Sequence, residues 1–267
     1  MSERGPLSVA CEAVRAAGRV LAEGMEGSHQ VTLKDARTKL VSAVDLRSQA
    51  TIQEVIRGWY PEDAVVGEEG TLGDPAAERV WFVDPLDGTT NYLHGLPWFG
   101  VSVALRSATD GVVCGAVYDP YHDQLFAAAR GEGSTCNGSR LRVSDIDRLD
   151  QALVVTQVQS DQAAEIHAYA ELAELLMNAA RGVRSLGAPA LLLCLIAAGR
   201  LEAYCERSMD HWDLSAGQLI LEEAGGRITH FDGHPYRTVE VADVVASNGL
   251  IHDQLLEVIA RGPSAHP

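Results

Sequence analysis

The first sixty residues carry apolar positions at helical spacing. Apolar side chains recur every three or four positions between residues 7 and 21, and Pro6 just before them favours a helix start. A second helix is predicted from about Asp45 to Trp59, where Pro61 stops it. Asp45 would then occupy the N-cap position of that helix.

The pattern changes near Val80 to short β-rich runs that are separated by glycine and Asp-Pro turns. Such runs predict an antiparallel sheet. The predicted strands are Val80 to Val83, Val101 to Leu105, Val112 to Val117 and Leu125 to Ala128.

Strand and helix patterns alternate in the second half of the chain. The predicted elements are a strand from Leu153 to Thr156, helices from Gln162 to Ala180, Pro189 to Ala198 and Asp213 to Ala224, and a strand from Val244 to Ala246. We therefore expect a mixed α/β fold in one domain over residues 1–267. Its halves would span about 1–145 and 146–262, followed by a frayed tail over 263–267.

Composition narrows the class of protein. Of the 267 residues, 46% are hydrophobic, which is enough to bury a sizeable core. The net charge of −16 disfavours binding to a nucleic-acid backbone. No run approaches the roughly 18 apolar residues of a membrane span, and the N-terminus lacks a signal-peptide pattern. The five cysteines include no Cys-x-x-Cys pair, so we expect reduced thiols. Together, these features lead us to expect a cytoplasmic protein with no membrane or nucleic-acid partner.

Candidate chemistry is concentrated in the segment over 81–92, where an apolar strand leads into two acids. Pro85 fixes φ and lacks an N–H, so a sharp turn is predicted that brings Asp84 and Asp87 together. These carboxylates, with a backbone carbonyl such as that of Leu86, would form an all-oxygen site for a hard cation. The alternative is an ordinary solvated Asp-Pro turn.

Two further acidic segments are weak signals when taken alone. Gly67-Glu68-Glu69-Gly70 follows apolar Val65-Val66 and could be a hairpin tip. Asp213 precedes an apolar helix pattern and could simply be its N-cap.

Together these segments resemble the inositol monophosphatase family. The matching motifs are Gly-Glu-Glu at 67–69, Asp-Pro-Leu-Asp-Gly-Thr-Thr-Asn at 84–91 and Trp-Asp-x-x-Ala-Gly at 212–217. They stand in the family's order and at its usual separations. The resemblance implies a layered α-β-α-β-α sandwich of the sugar phosphatase type. It also implies a magnesium-dependent, lithium-sensitive phosphomonoesterase that forms a homodimer.

By similarity to the family, two or three Mg²⁺ ions would be bound by four carboxylates and one backbone carbonyl. The implied metal ligands are Glu68, Asp84, Leu86 through its carbonyl, Asp87 and Asp213. Four converging carboxylates would repel one another and raise their pKa values unless cations lay between them. The ions would hold the phosphate and activate a water molecule, so no covalent intermediate is needed.

The resemblance also assigns catalytic roles to Asp45, Glu68, Thr89 and Lys34. Asp45 and Thr89 would orient the attacking water, although an N-cap would equally explain Asp45. Lys34 would lie near an outer metal position. One departure is visible at Gln49, where family members often have an acid, and it puts the outer metal position in doubt.

Substrate contacts are implied at two predicted helix starts and at two acids. The residues are Gly88, Thr89, Gly187, Ala188, Pro189, Glu206 and Asp213. Backbone N–H groups at Gly88 and Thr89 would favour phosphate. Glu206, placed just beyond a short predicted strand from Leu201 to Tyr204, would accept substrate hydroxyls, unless it merely pairs with Arg207 or Arg184 at the surface.

The expected partner is a small phosphorylated polyol or sugar, with myo-inositol monophosphate as the leading candidate. Histidinol phosphate and fructose 1,6-bisphosphate are alternatives on the same metal core. A hypothesis of a different class is a protein that interacts with the transcription machinery and has incidental phosphatase activity.

Overall fold

A computed structural model describes residues 4–25, 31–33, 40–158, 160–237 and 241–261, with backbone alone for 31–33 and 40–42. The helices are α1 (Pro6–Gly24), α2 (Ala43–Trp59), α3 (Thr89–Leu93), α4 (Ala163–Ala179), α5 (Pro189–Ala197), α6 (His211–Glu223) and α7 (His252–Ile259). A short 3-10 helix spans Leu149–Gln151. None of the described helices has the length and apolar character needed to cross a membrane.

The strands divide between the two halves of the chain. The first ten are β1 (Val31–Leu33), β2 (Leu40–Ser42), β3 (Ala64–Gly67), β4 (Gly70–Leu72), β5 (Arg79–Asp87), β6 (Gly100–Ser107), β7 (Gly111–Asp119), β8 (Gln124–Ala129), β9 (Gly133–Cys136) and β10 (Ser139–Arg140). The other five are β11 (Leu153–Thr156), β12 (Gly182–Arg184), β13 (Ala203–Met209), β14 (Arg227–His230) and β15 (Ala242–Ser247).

Two large sheets and three helical layers build the fold. The first sheet has eight strands in the order β10-β9-β8-β7-β6-β5-β3-β4, and the second has five in the order β12-β11-β13-β15-β14. Helices α1 and α2 contact the first sheet, α6 contacts strands of both sheets and packs beside α5, and α4 and α7 contact the second sheet. The layers therefore run α-β-α-β-α, as the resemblance implied.

Most of the predicted elements are confirmed. The four predicted strands of the first half correspond to β5, β6, β7 and β8, and the strand predicted from Leu153 to Thr156 has those bounds. The first sheet is antiparallel except where β3 runs parallel to β5. Pro6 opens α1, whose apolar face is buried.

A hydrogen bond connects α1 to the segment that follows β5. Tyr92 in α3 is fully buried, and its hydroxyl donates to the carbonyl of Leu21 at 2.8 Å. Gly24 accommodates this arrangement, because a Cβ there would stand 2.5 Å from the Tyr92 hydroxyl. Burial of the α1 face thus helps to fix the position of α3.

Both N-cap predictions are wrong. Helix α2 begins at Ala43, directly after β2, so Asp45 lies in its first turn. Helix α6 begins at His211, because Asp210 has the extended backbone of an N-cap, and Asp213 also lies in the first turn. A carboxylate in a first helical turn is still favoured by the helix dipole.

Two strand predictions also need correction. Strand β5 does not end in a sharp turn at Pro85; it continues to Asp87 with a shift of register between Asp84 and Asp87. Proline cannot donate to the ladder, so pairing is interrupted without reversing the chain. Glu206 lies inside β13 rather than beyond a strand ending at Tyr204.

Candidate active site

A cavity of about 580 Å³ brings together residues that lie far apart along the chain. Its walls come from the β3–β4 hairpin, the end of β5, α3, α4, the start of α5, β13 and the start of α6. The site residues predicted from the sequence that line it are Glu68, Asp84, Leu86, Asp87, Gly88, Thr89, Gly187, Pro189, Glu206 and Asp213. The acidic motifs therefore meet in one cleft.

The four acids lie on three different structural elements. Glu68 lies at the tip of the β3–β4 hairpin, since Gly67 pairs with Gly70 across a two-residue turn. Asp84 and Asp87 flank the irregularity of β5, where pairing with β6 lapses. Asp213 extends from the first turn of α6. The hairpin expected of the Gly-Glu-Glu segment is therefore present and also delivers an acid to the cleft.

Burial and mutual repulsion set the protonation of these acids. Burial first, and then the charges of Asp87, Glu68 and Asp213, raise the pKa of Asp84 well above its usual value. Burial first, and then the charges of Asp87, Glu68, Asp210 and Glu206, raise the pKa of Asp213 well above its usual value. Burial raises the pKa of Asp87 to about 8, although the backbone N–H groups of Leu191 and Ala190 oppose the shift.

The cleft offers little positive charge to offset these acids. Among the described lining residues, Arg207 is the only Lys or Arg side chain, and it pairs with Asp243 at 2.7 Å. Within the described ranges, no three His, Cys, Asp or Glu side chains are already arranged to hold a metal ion. Four like charges are expected to stand apart until a cation lies between them. The acids thus share a cleft without forming a closed coordination shell.

A hydrogen-bond network fixes the segment between the two β5 acids. The backbone N–H of Leu86 donates to Asp84 Oδ1 at 3.0 Å. Ser48 Oγ, from α2, donates to the Pro85 carbonyl at 2.6 Å. The Thr89 hydroxyl lies 3.0 Å from the Leu86 carbonyl and 3.3 Å from Asp45 Oδ1. Because a hydroxyl has one proton, it donates to only one of those two oxygens at a time.

Glycine and asparagine shape the start of α3. Gly88 has a φ of +90°, and a Cβ there would stand 3.1 Å from both the Ala188 Cβ and the Trp98 carbonyl. Asn91 Nδ2 donates to the carbonyls of Trp98 at 2.9 Å and Leu186 at 2.8 Å. These contacts hold the start of α3 against the loop that precedes α5.

Glu206 is buried rather than paired with arginine at the surface. It is 4% exposed, and the Tyr204 hydroxyl donates to it. Burial raises the pKa of Glu206 to about 8, although the Tyr204 hydroxyl and the Gln157 amide oppose the shift. Arg207 pairs with Asp243 instead, so the predicted surface pairing of Glu206 with Arg207 is wrong.

Comparison with known proteins identifies the family. The profile of the inositol monophosphatase family matches residues 5–263. The chain belongs to the inositol monophosphatase family. Members of this family are phosphoric monoester hydrolases, so the chain is a member of an enzyme family whose reaction suits the cleft described above.

Three relatives illustrate the range of this family. A protein named fructose-1,6-bisphosphatase/inositol-1-monophosphatase, from Aquifex aeolicus, is 39% identical over 96% of this chain and 95% of its own length. A protein named Nus factor SuhB, from Pasteurella multocida, is 40% identical over 87% of this chain and 88% of its own. The solved inositol monophosphatase from Anabaena (Nostoc) is 37% identical, covers 96% of each chain and superposes with a TM-score of 0.83.

Two of the described residues predicted from family resemblance, Asp45 and Ala188, do not line the cleft. Asp45 lies within 3.3 Å of the Thr89 hydroxyl, which does line the cleft. Ala188 is fully buried behind Gly88. Lys34 lies outside the described residues.

Sequence reasoning missed several residues that shape this family member's site. Gln157 and Asn91 line the cleft, and Ser48 anchors the Pro85 carbonyl. Gln49 was noted as a departure from the family, but its contacts were not foreseen: its Oε1 accepts the Glu69 N–H at 3.1 Å, and its Nε2 donates to the Gly70 carbonyl at 3.3 Å. Gln157 could have been identified as a site candidate because it is a polar residue directly after a predicted strand.

Proposed function

We propose that this chain hydrolyses the phosphate monoester of a small polyol or sugar, with Mg²⁺ as its cofactor and myo-inositol monophosphate as the leading substrate. The observation that carries the proposal is the convergence of Glu68, Asp84, Asp87 and Asp213 on one cleft, where burial and repulsion raise the pKa values of the three aspartates.

The donor set suits a hard divalent cation. Every candidate ligand is an oxygen, from four carboxylates and from the carbonyl of Leu86, which Mg²⁺ prefers over nitrogen or sulfur. The Leu86 carbonyl has two lone pairs, so one remains for a ligand even when the other accepts from Thr89. Bound Mg²⁺ would neutralise the acids, hold phosphate oxygens and make a bound water more acidic. We propose two or three ions, as family resemblance implies.

Asp45 and Thr89 are proposed to handle the proton of the attacking water. When the Thr89 hydroxyl donates to Asp45 Oδ1, its own lone pairs face away from that carboxylate and can accept a hydrogen bond from water. A general base within hydrogen-bond reach contributes about 10²–10⁴-fold to a rate. We propose that Glu68, at the tip of the hairpin, assists the same water.

The leaving alcohol is proposed to contact Asp213 and Glu206. A carboxylate accepts hydrogen bonds from hydroxyls, and both acids line the cleft together with the backbone around Gly187 and Pro189. The backbone N–H groups after Gly88 open α3 and would face the phosphate. Such an arrangement favours an alcohol that carries several hydroxyl groups.

A substrate panel tests this proposal. Phosphate release would be measured from myo-inositol 1-phosphate, fructose 1,6-bisphosphate and histidinol phosphate, with and without Mg²⁺, EDTA and Li⁺. We expect release from at least the inositol ester with Mg²⁺, loss with EDTA and weakening by Li⁺. Turnover that is unaffected by EDTA would contradict the metal-dependent mechanism.

The similarity to a Nus factor supports a second candidate function, an interaction with the transcription machinery. The net charge of −16 disfavours direct contact with RNA. Replacing Asp87 by Asn separates the two candidates, because catalysis needs the carboxylate and a surface interaction does not. A cellular phenotype that disappears in D87N supports the enzyme, and one that persists supports the interaction protein.

Family resemblance also leads us to propose a homodimer in the cytoplasm. Leu96 and Leu186 are exposed by 52% and 36%, and hydrogen bonds of Asn91 and Trp98 hold their loops. Sedimentation velocity on the wild type and on a double Leu-to-Asp variant would test the dimer.

A further inference from the structure

One buried donor in the cleft lacks a partner that the fold supplies. Gln157 follows β11 and is 6% exposed. Its Oε1 accepts the N–H of Gly187 at 2.7 Å, which fixes the orientation of the amide. Its Nε2 is buried and makes no hydrogen bond of normal geometry with any described residue, although the amide lies close enough to Glu206 to lower the pKa of that carboxyl. Buried donors without partners are uncommon and call for an explanation.

The position of Gln157 suggests which group could accept a hydrogen bond from its Nε2. Gln157 and Glu206 line the same cavity, and the amide favours the charged form of Glu206, so the two side chains are neighbours. The Nε2 group nevertheless makes no hydrogen bond of normal geometry with that carboxylate. A donor and an acceptor thus stand side by side in the cleft.

We propose that Gln157 is a specificity-determining residue whose Nε2 group donates to the same substrate hydroxyl that donates to Glu206. The inference rests on the proposed phosphatase function and narrows its substrate class. A hydroxyl group can donate one hydrogen bond while it accepts others, so a single hydroxyl satisfies both side chains.

The donor–acceptor pair discriminates between the candidate alcohols. An ammonium group has three donors and no acceptor, so it could contact Glu206 but would leave the Gln157 donor unsatisfied. A site that presents a hydrogen-bonding group rejects ligands that cannot pair with it. The pair therefore selects polyol and sugar phosphates over the phosphate of an amino alcohol such as histidinol.

Two substitutions remove the donor in different ways. Q157E keeps an oxygen that can accept the Gly187 N–H, whereas Q157L removes both groups without adding charge. We expect kcat/KM for myo-inositol 1-phosphate to fall about tenfold to a hundredfold in both variants. In Q157E the ratio of kcat/KM for the inositol ester to that for histidinol phosphate should also fall, because a second carboxylate favours the ammonium group.

Substrate analogues show whether the lost donor acted on a hydroxyl. The assay would use myo-inositol 1-phosphate analogues that each lack one hydroxyl, with the wild type, Q157E and Q157L. For one analogue, the kcat/KM of the wild type should fall close to the value that Q157E and Q157L show with the full substrate. The kcat/KM of the two variants should fall little further with that analogue. A purely structural role for Gln157 would lower kcat/KM by the same factor for every analogue, and that result would overturn the inference.

A matched control comes from Gln254, whose Oε1 accepts the Leu149 N–H and whose Nε2 donates to the Asp147 carbonyl away from the cleft. Q254E should leave the substrate ratio unchanged, and an equal shift in Q254E would also overturn the inference. If the wild type hydrolyses no phosphomonoester, the proposed function fails and takes this inference with it. If the wild type is active but the Gln157 variants lose the same factor in kcat/KM with every analogue, only this inference fails.

Discussion

Two polar clusters of this chain differ in how far the protein itself supplies their hydrogen-bond partners and counter-charges. The first surrounds His252 at the start of α7 and the second is the acid cluster formed by Glu68, Asp84, Asp87 and Asp213. His252 is fully buried and lies 2.9 Å from both the Ser247 and the Thr229 hydroxyls. In the acid cluster Asp84 and Asp87 are buried and Glu68 and Asp213 are half-buried, and the four acids would carry like charges.

The hydrogen bonds around His252 form a directed chain. The Thr229 hydroxyl donates to the His230 carbonyl at 2.8 Å, so it accepts from His252 Nε2–H. His252 Nδ1 then accepts from Ser247, whose oxygen accepts the Gly249 N–H at 3.1 Å. Each group in this chain has a partner when the imidazole is neutral, and the tautomer follows from the network.

The difference shows which cluster needs something from outside the chain. The His252 network is complete as it stands, so it contributes to the fold and requires no ligand. The acid cluster is stable in its charged form only when positive charge is supplied, which the described lining residues do not offer. The candidate active site is therefore distinguished by carboxylates that lack a counter-charge, and not by burial alone.

The largest expected effect comes from removing one acid. D87N should lower kcat/KM by about a thousandfold, in the range measured for loss of a group that stabilises transition-state charge. In the metal-free protein the same change should raise the Tm at pH 8, because it removes a buried charge that its neighbours repel. Steady-state kinetics and thermal unfolding measure the two effects.

Asp119 supplies the matched control. It is 3% exposed and accepts backbone N–H groups at a turn outside the cleft. D119N should keep activity within about twofold, since an amide oxygen still accepts those bonds. Equal losses in D87N and D119N would remove the distinction between the two sites.

Next in size is the Thr89 hydroxyl. T89A should lower kcat by about a hundredfold or more while KM changes little, because the hydroxyl acts on the attacking water. T89S restores the hydroxyl and should recover most of the activity. A T89S variant as inactive as T89A would indicate a steric role for the threonine methyl group instead.

The pH dependence of the metal-free protein should show the repulsion directly. The folded-state pKa of Asp87 is raised from 3.8 to about 8, so its contribution to stability is full below pH 3.8 and is lost as the pH rises through about 8. The Tm of the wild type should therefore fall relative to D87N over that range. Added Mg²⁺ should stabilise the wild type more at pH 8 than at pH 5.

The His252 network should respond to pH with the opposite sign. Burial lowers the folded-state pKa of His252 from 6.5 to about 4, so its contribution is present above pH 6.5 and is lost as the pH falls through about 4. H252L should cost about 1–3 kcal/mol at pH 7.5, because it leaves two buried hydroxyls short of a partner. The difference in stability between the wild type and H252L should shrink on acidification, and activity per folded molecule should not change.

The smallest effect concerns the residue that ties the hairpin to α2. Q49L removes both hydrogen bonds to the β3–β4 turn and should cost about 1–2 kcal/mol. Loosening of that turn should weaken Mg²⁺ binding severalfold, which calorimetry would measure. Unchanged binding would show that the hairpin holds Glu68 without Gln49.

Local pattern was enough to predict several of the elements and the acids of the Asp84–Asp87 segment. Apolar periodicity located α1, and the β-rich runs located β5 to β8, because each depends on neighbouring residues alone. The acids of the Asp84–Asp87 segment were identified because carboxylates at the end of an apolar strand need an explanation. The convergence with Asp213 came from family resemblance, since no local rule brings such distant residues together.

Features set by tertiary contacts escaped prediction. The start of α6 depends on the extended backbone of Asp210, whereas the prediction from sequence considered only Asp213 as the cap of this helix. Strand β5 passes through Pro85 because Ser48 on a separate helix accommodates its carbonyl. Gln157 looked like an ordinary polar residue after a strand until its neighbours were known.

Titration calorimetry of Mg²⁺ into the metal-free protein tests the shared cation site most directly. We predict saturable binding to the wild type and to D119N, and binding that is at least tenfold weaker in D84N, D87N and D213N alike, since the proposed cations would share all three carboxylates as ligands. Binding of equal strength in the wild type and all three variants would contradict the account, because the acids would then not share a cation.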